Sequence, residues 1–254
     1  MEILTALGSN RERIITGLSL LVAVLIIGFI DSFFLMWAVL GVVYLLAFKE
    51  SLRLFEIKNE ALTIYALGVW IVAAFYPYGD DLFVLAGVAY ASAVAFDKEL
   101  KWDNFFPFIY PTAGMLFIFT MYQEYGMLAM LWLLVIVAMT DVGAYVVGKS
   151  IGKTPFSKTS PNKTMEGVVG GVLVATVAGM FMGLSIVDLA DSFVISCAVA
   201  ISSIFGDLFE SSLKRNAGVK DSGDILPGHG GILDRIDGYL FGAIVMLVLL
   251  RGLV

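Results

Sequence analysis

Phe193–Gly206 reads FVISCAVAISSIFG and runs directly into Asp207–Gly238, DLFESSLKRNAGVKDSGDILPGHGGILDRIDG. Leu240–Leu253, LFGAIVMLVLLRGL, then closes the chain's last apolar stretch. Charge, glycine and the only histidine are thus packed between two segments with the profile of membrane helices. Ionisable side chains held beside apolar helices are expensive, and mark function by default. The pattern points to an enzyme whose substrate is at least partly lipid.

The rest of the chain carries the same character. Of 254 residues, 59% are hydrophobic and only 15% charged, against about a quarter charged in ordinary soluble domains. Mean hydropathy is +0.92. The expected fold is therefore all-α, a polytopic integral membrane helical bundle in a single membrane domain, 1–254. An N-terminal span region, 1–125, precedes a catalytic half, 126–254, whose polar loops are 149–167 and 210–238. The single Cys197 lies in an apolar run, which excludes a disulfide framework and a cysteine metal site. No small-residue cleavage site follows the first apolar core, so a retained first span is expected, not a removed signal peptide.

Nine apolar segments are expected to form transmembrane elements. They are Ile14–Ile30, Phe33–Phe48, Leu62–Phe75, Leu82–Phe96, Phe108–Met121, Met127–Val147, Val168–Leu184, Phe193–Gly206 and Leu240–Leu253. Several fall short of the ~20 residues of a straight span, and an eight-span count is the alternative. The intervening loops sort by charge. Asp31, Asp80, Asp81, Glu124, Asp188 and Asp191 fall on one side. Of 16 basic residues, only Arg251 joins them. The positive-inside rule then places the N-terminus and both long polar loops in the cytoplasm.

Four groups of residues are suited to chemistry. On a helix, Asp207, Glu210, Ser211 and Lys214 share one face, and a carboxylate at Asp207, just past an apolar run, needs a cation or a partner. Asp234 and Asp237 lie three apart where the last helix begins. With Asp207, Asp234 has the oxygen chemistry that Mg²⁺ prefers. His229, among glycines, suits hydrogen bonding to phosphate or backbone, and there is no second histidine or cysteine for a zinc-type site. Lys214, Arg215, Lys220 and Arg235 are suited to neutralising phosphate oxygens, or to anchoring lipid headgroups. The loop 152–167 carries three lysines among hydroxyl side chains; Ser160, Asn162 and Lys163 are its candidate ligand contacts. Ser160 and Thr164 also sit where helix caps are expected. Its GKT lacks the glycine-rich lead of a P-loop. Finally, Asp141 lies inside the sixth segment, with Tyr145 and Lys149 on the same helical face. Together they form a polar stripe suited to a cavity wall.

These residues carry a family resemblance. Ser211-x-Leu213-Lys214-Arg215, Lys220-Asp221, Gly223, Leu226-Pro227, His229-Gly230-Gly231 and Asp234-Arg235-x-Asp237 match, spacing for spacing, the signature of the phosphatidate cytidylyltransferases, or CDP-diacylglycerol synthases. The SPNKTMEG loop and TDVGAYVVGK resemble family motifs too, with Met165 where many relatives have tryptophan. The resemblance implies transfer of a cytidylyl group from CTP to phosphatidic acid, giving CDP-diacylglycerol and pyrophosphate for phospholipid biosynthesis. It further implies Mg²⁺ at Asp207 and Asp234, a second cation such as K⁺, a homodimer, and residence in the bacterial inner membrane. Under this reading Asp221, Asp237 and Asp141 hold the basic groups or a second cation in place, Ser211 belongs with the nucleotide contacts, and no nucleic acid is a partner. Two other functions fit the residues alone: a CTP-dependent kinase of a polyprenol-type lipid, and an ion-coupled transporter with Asp141 and Asp207 on its path.

Overall fold

The computed structural model describes residues 17, 19, 22–226, 228 and 230–253. Helical residues 22–30 lead into α1 (Phe33–Leu54), α2 (Leu62–Ala73) and α3 (Asp81–Phe96). A 3₁₀ turn at Trp102–Phe105 and a π turn at Phe108–Ala113 precede α4 (Gly114–Ile151). Then come α5 (Met165–Gly183), α6 (Leu189–Asn216) and α7 (Leu233–Leu253). The described residues form no strand, only two isolated bridges, so the all-α expectation holds.

The span count does not. Five helical stretches among the described residues are long and apolar enough to cross a bilayer, not nine: Phe33–Leu54, Trp102–Ile151, Met165–Gly183, Leu189–Asn216 and Leu233–Leu253. At ~1.5 Å per residue, the 12 residues of α2 and the 16 of α3 reach only about 18 and 24 Å, short of a ~30 Å hydrocarbon core. The expected fifth and sixth segments share one helical stretch, broken at Gly126, where φ is 70° and ψ −166°. Only glycine adopts that conformation without strain. The two arms run in opposite senses past α7. Gly114 abuts Leu240 and Glu124 pairs with Arg251, whereas Leu133 lies by Gly242 and Val137 by Gly238. The first expected segment, 14–30, lies partly outside the described residues.

Packing satisfies the polar groups that lipid cannot. Trp37 Nε1 donates to the Trp70 carbonyl at 3.1 Å and Trp70 Nε1 to that of Trp37 at 3.0 Å, binding α1 to α2. Trp132 Nε1 donates to Ser196 Oγ at 3.1 Å between α4 and α6. Around these, Phe48, Phe119, Leu133, Ile136, Ile195, Val199 and Leu247 form a continuous buried core. Outside it, Ile64, Val88, Phe96, Val177, Phe181 and Val248 are exposed, as expected where lipid is the solvent.

The charges collect at two ends of the bundle. At one, Arg251 donates to Asp80 at 2.6 and 3.0 Å and to Glu124 at 3.0 and 2.5 Å, and Tyr122 donates to Asp31 at 2.9 Å. At the other lie the 149–167 loop and the segment from Asp207 to Asp237.

Candidate active site

The 149–167 loop is a tight hairpin. Phe156 N–H donates to the Lys163 carbonyl and Met165 N–H to that of Thr154, each at 2.8 Å. Glu166 accepts from Lys153 N–H, Thr154 N–H and Thr154 Oγ1. The GKT amides are therefore already satisfied, which agrees with the rejection of a P-loop. Thr164 caps α5, accepting from Gly167 N–H at 3.2 Å. Ser160 caps no helix; its carbonyl accepts from Lys163 N–H in a turn at 3.1 Å. The fold of this loop delivers Asn162 and Lys163 to a cleft of about 330 Å³ whose other wall is Asp141, Tyr145 and Lys149. Lys149 Nζ lies 3.3 Å from Tyr145 Oη, and with Asp141 these two residues line the cleft.

Asp207 lies next to that cleft, tied to its Lys163. It also accepts from Ser211 Oγ at 3.3 Å. α6 and α7 nearly touch here: a Cβ on Gly206 would come within 2.5 Å of the Asp237 carbonyl. That contact brings Asp237 close enough to feel the charges of Asp207 and Asp141, with Lys163 opposing them. Arg235 and Lys163 act on Asp141 in the same way. Behind this group, Tyr110 Oη is buried without a hydrogen-bond partner, and the charges of Asp207, Glu210, Asp234 and Asp237 all reach it.

Two turns along α6 from Asp207, Lys214 holds a second cluster. Its Nζ lies 2.5 Å from Glu210 and 2.5 Å from Asp234. Glu210 is fully buried, with Lys214 against its Oε2 and no partner at Oε1. Asp234 is engaged on both oxygens. Oδ1 meets Lys214, and Oδ2 accepts from Gly231 N–H at 2.8 Å and from Ser222 N–H at 2.9 Å, with Ser222 Oγ also 2.9 Å away. Ser222 also donates to Glu50 Oε2 at 2.9 Å, and Glu50 takes Ile232 N–H at 3.0 Å and Leu233 N–H at 2.8 Å.

The remaining expected residues scatter around these two clusters. Arg215 donates to the Val219 carbonyl at 2.9 Å, closing the C-terminus of α6. Lys220 and Asp221 are exposed on the following loop. Arg235 is exposed at the mouth of a second cavity of about 450 Å³. Its walls are apolar: Met36, Leu40, Met115, Ile118, Leu134 and Ile236 among others. His229 lies outside the described residues. Sequence reading missed Glu50, Ser222 and Tyr110, and passed over Glu210 as a site residue although it placed it on the right face.

The donor set fits a hard cation. Tyr110 Oη and Glu210 Oε1, buried without a partner, stand beside carboxylates that outnumber their counter-charges. Among the described residues no three Asp, Glu, His or Cys side chains are grouped tightly enough to hold an ion by themselves. Mg²⁺ shares its coordination in that situation, taking one or two carboxylates and completing its shell with water and substrate phosphates. Asp207, half-buried and paired with Lys163 of the cleft, is the most available of them.

Comparison with known proteins agrees with this geometry. The model of the cytidylyltransferase family matches residues 11–253. The phosphatidate cytidylyltransferase of Helicobacter pylori strain J99 is 44% identical over 247 residues, 95% of this chain and 92% of its own. That of Thermotoga maritima is 42% identical over 152 residues, 56% of each chain. That of Bacillus subtilis is 44% identical over 124 residues, 47% of this chain and 46% of its own. A match along nearly the whole chain makes this polytopic bundle, with its buried carboxylates and lysine, a member of the cytidylyltransferase family, among the phosphatidate cytidylyltransferases.

Proposed function

We propose that the protein transfers the cytidylyl group of CTP to phosphatidic acid, releasing CDP-diacylglycerol and pyrophosphate. The observation that carries this reading is a pair of cavities of opposite character, linked by Arg235, which lines the second and whose charge reaches Asp141 on the wall of the first. One is polar and charged, and the other is lined almost wholly by apolar side chains. A site that takes a nucleotide and a lipid phosphate together needs both.

The chemistry follows from charge. A phosphate oxygen of the lipid forms a bond to the α-phosphorus of CTP. The bond from that phosphorus to the oxygen bridging the β-phosphate breaks, and pyrophosphate leaves. The nucleophile is already anionic, so no strong general base is needed. In-line alignment and charge neutralisation carry the rate. Lys163 and Lys149 in the cleft, with Asn162, supply donors to the nucleotide phosphates. Arg235, on the wall of the apolar cavity, supplies a cation for the lipid phosphate. Lys214 is already committed to Glu210 and Asp234 and acts by holding them. Asp207 is the leading ligand for Mg²⁺, with Asp234 reachable if Lys214 shifts. Glu210, Tyr110 and Asp237 offer oxygens to a second cation. When bound, Mg²⁺ offsets the charge that develops on the leaving pyrophosphate. The acyl chains lie in the apolar cavity, open sideways to the bilayer.

The site faces the cytoplasm of a bacterial inner membrane in this reading. Its support is the charge partition of the sequence, in which Arg251 is the one basic residue that falls with the acidic loops. A homodimer is proposed on family resemblance. The test is product analysis with purified protein, phosphatidic acid, CTP and Mg²⁺. Formation of CDP-diacylglycerol matched by pyrophosphate, and abolished by EDTA, is the expected result. Release of CDP with a newly phosphorylated lipid would replace this reading with a kinase.

A further inference from the structure

We infer that Glu50 is a positioning residue of the active site, supplied by the half of the chain that carries none of the signature. The inference rests on the cytidylyltransferase reading and extends it to α1.

Glu50 lies near the C-terminal end of α1 and is 2% exposed. No ion pair satisfies it among the described residues; three hydrogen-bond donors do. Two are the amides of Ile232 and Leu233, at 3.0 and 2.8 Å, where α7 begins. The first amides of a helix have no partner within it, and the helix dipole favours an anion at that end. The third donor is the Ser222 hydroxyl. Its oxygen lies 2.9 Å from both Glu50 Oε2 and Asp234 Oδ2, but it has one proton to give. Asp234 Oδ2 already receives the amides of Ser222 and Gly231. Donation to Glu50 is therefore the assignment that uses each donor once.

Glu50 and Asp234 thus form two halves of one clasp. Between them they take the amides of Ser222, Gly231, Ile232 and Leu233. They fix the Ser222 loop against the first turn of α7, which orients Asp234 toward Lys214. The fit leaves no slack. A Cβ on Gly223 or on Gly231 would come within 2.5 Å of a Glu50 carboxylate oxygen, which gives both signature glycines a physical reason. A residue 172 positions away in sequence from Ser222 therefore holds the catalytic segment in register. Partners of this kind, one step removed from the reacting groups, typically alter activity by about 10–100-fold when removed.

The test uses the full-length protein in detergent or vesicles and compares Glu50→Gln, Glu50→Ala and Ser222→Ala with the native chain. Native activity is measured first, so that failure of the parent reading shows as absence of CDP-diacylglycerol from the native protein. Given native activity, Glu50→Gln is expected to lower kcat roughly tenfold or more per folded molecule, with KM for CTP little changed. Glu50→Gln combined with Ser222→Ala is expected to lose less than the product of the single losses, since both act through one hydroxyl. Hydrogen exchange at 222 and 231–233 should rise in Glu50→Gln without a matching rise in α5. Folded Glu50→Gln with native kcat and native exchange would overturn the inference. So would a loss explained wholly by less folded protein. If Glu50→Ala does not fold, Glu50→Gln and Ser222→Ala decide the matter.

Discussion

At the scale of the residue, two carboxylate groupings differ in what holds them. Lys214 serves both Glu210 and Asp234 with one ammonium, and Glu210 is fully buried. Removing one partner of a buried pair typically costs about 3–5 kcal/mol, because the charge left behind stays out of water. Lys214→Met is therefore expected to lower the unfolding temperature sharply, read by a thermal melt in detergent, and adding Glu210→Gln should restore part of the loss. Asp207 differs, since it and Lys163 are each 28% exposed. Asp207→Asn is expected to melt like the native protein while turnover falls by about 100-fold or more. A folded Asp207→Asn protein with near-native turnover would remove Asp207 from the metal site. Asp207, Ser211 and Lys214 were legible in the sequence because helical spacing is local. Glu50 was not. In AFKESLRL it looks like any charge where a helix leaves the membrane, and its partners lie more than 170 residues on. Tyr110 was hidden in the same way, as an aromatic in a proline-broken apolar run.

At the scale of the element, hydropathy located apolar stretches but not their lengths as helices. Mean hydropathy does not register where a helix stops, so α2 and α3 were read as spans although they are too short to be counted as such. It also could not show that Gly126 folds one helical stretch back along α7, because that depends on a single backbone conformation. The close contact of α6 with α7 at Gly206 is the element-level feature on which the site depends. Small residues let membrane helices approach closely, and this contact sets Asp207 beside Asp237. Gly206→Leu is expected to separate the helices. It should abolish turnover while leaving helix content, measured by circular dichroism, near native. Native turnover in that variant would mean that the close contact is dispensable.

At the scale of the whole molecule, the bundle has a chemical end and a structural end. Arg251 was the one basic residue that the charge partition left on the far side, and it meets Asp80 and Glu124 there. Arg251→Ala leaves Asp80, 7% exposed at its side chain, without its cation. About 1–3 kcal/mol of stability should be lost, with KM for CTP and lipid unchanged because the site lies at the other end. A changed KM with unchanged stability would contradict this division. The central claim is that the bond broken is the one between the α- and β-phosphates of CTP. It is tested most directly with CTP carrying one isotope at the α-phosphorus and another at the γ, given to purified protein with phosphatidic acid and Mg²⁺. The account predicts the α label in the lipid extract and the γ label in free pyrophosphate. The γ label in lipid, with the α label left in CDP, would contradict it.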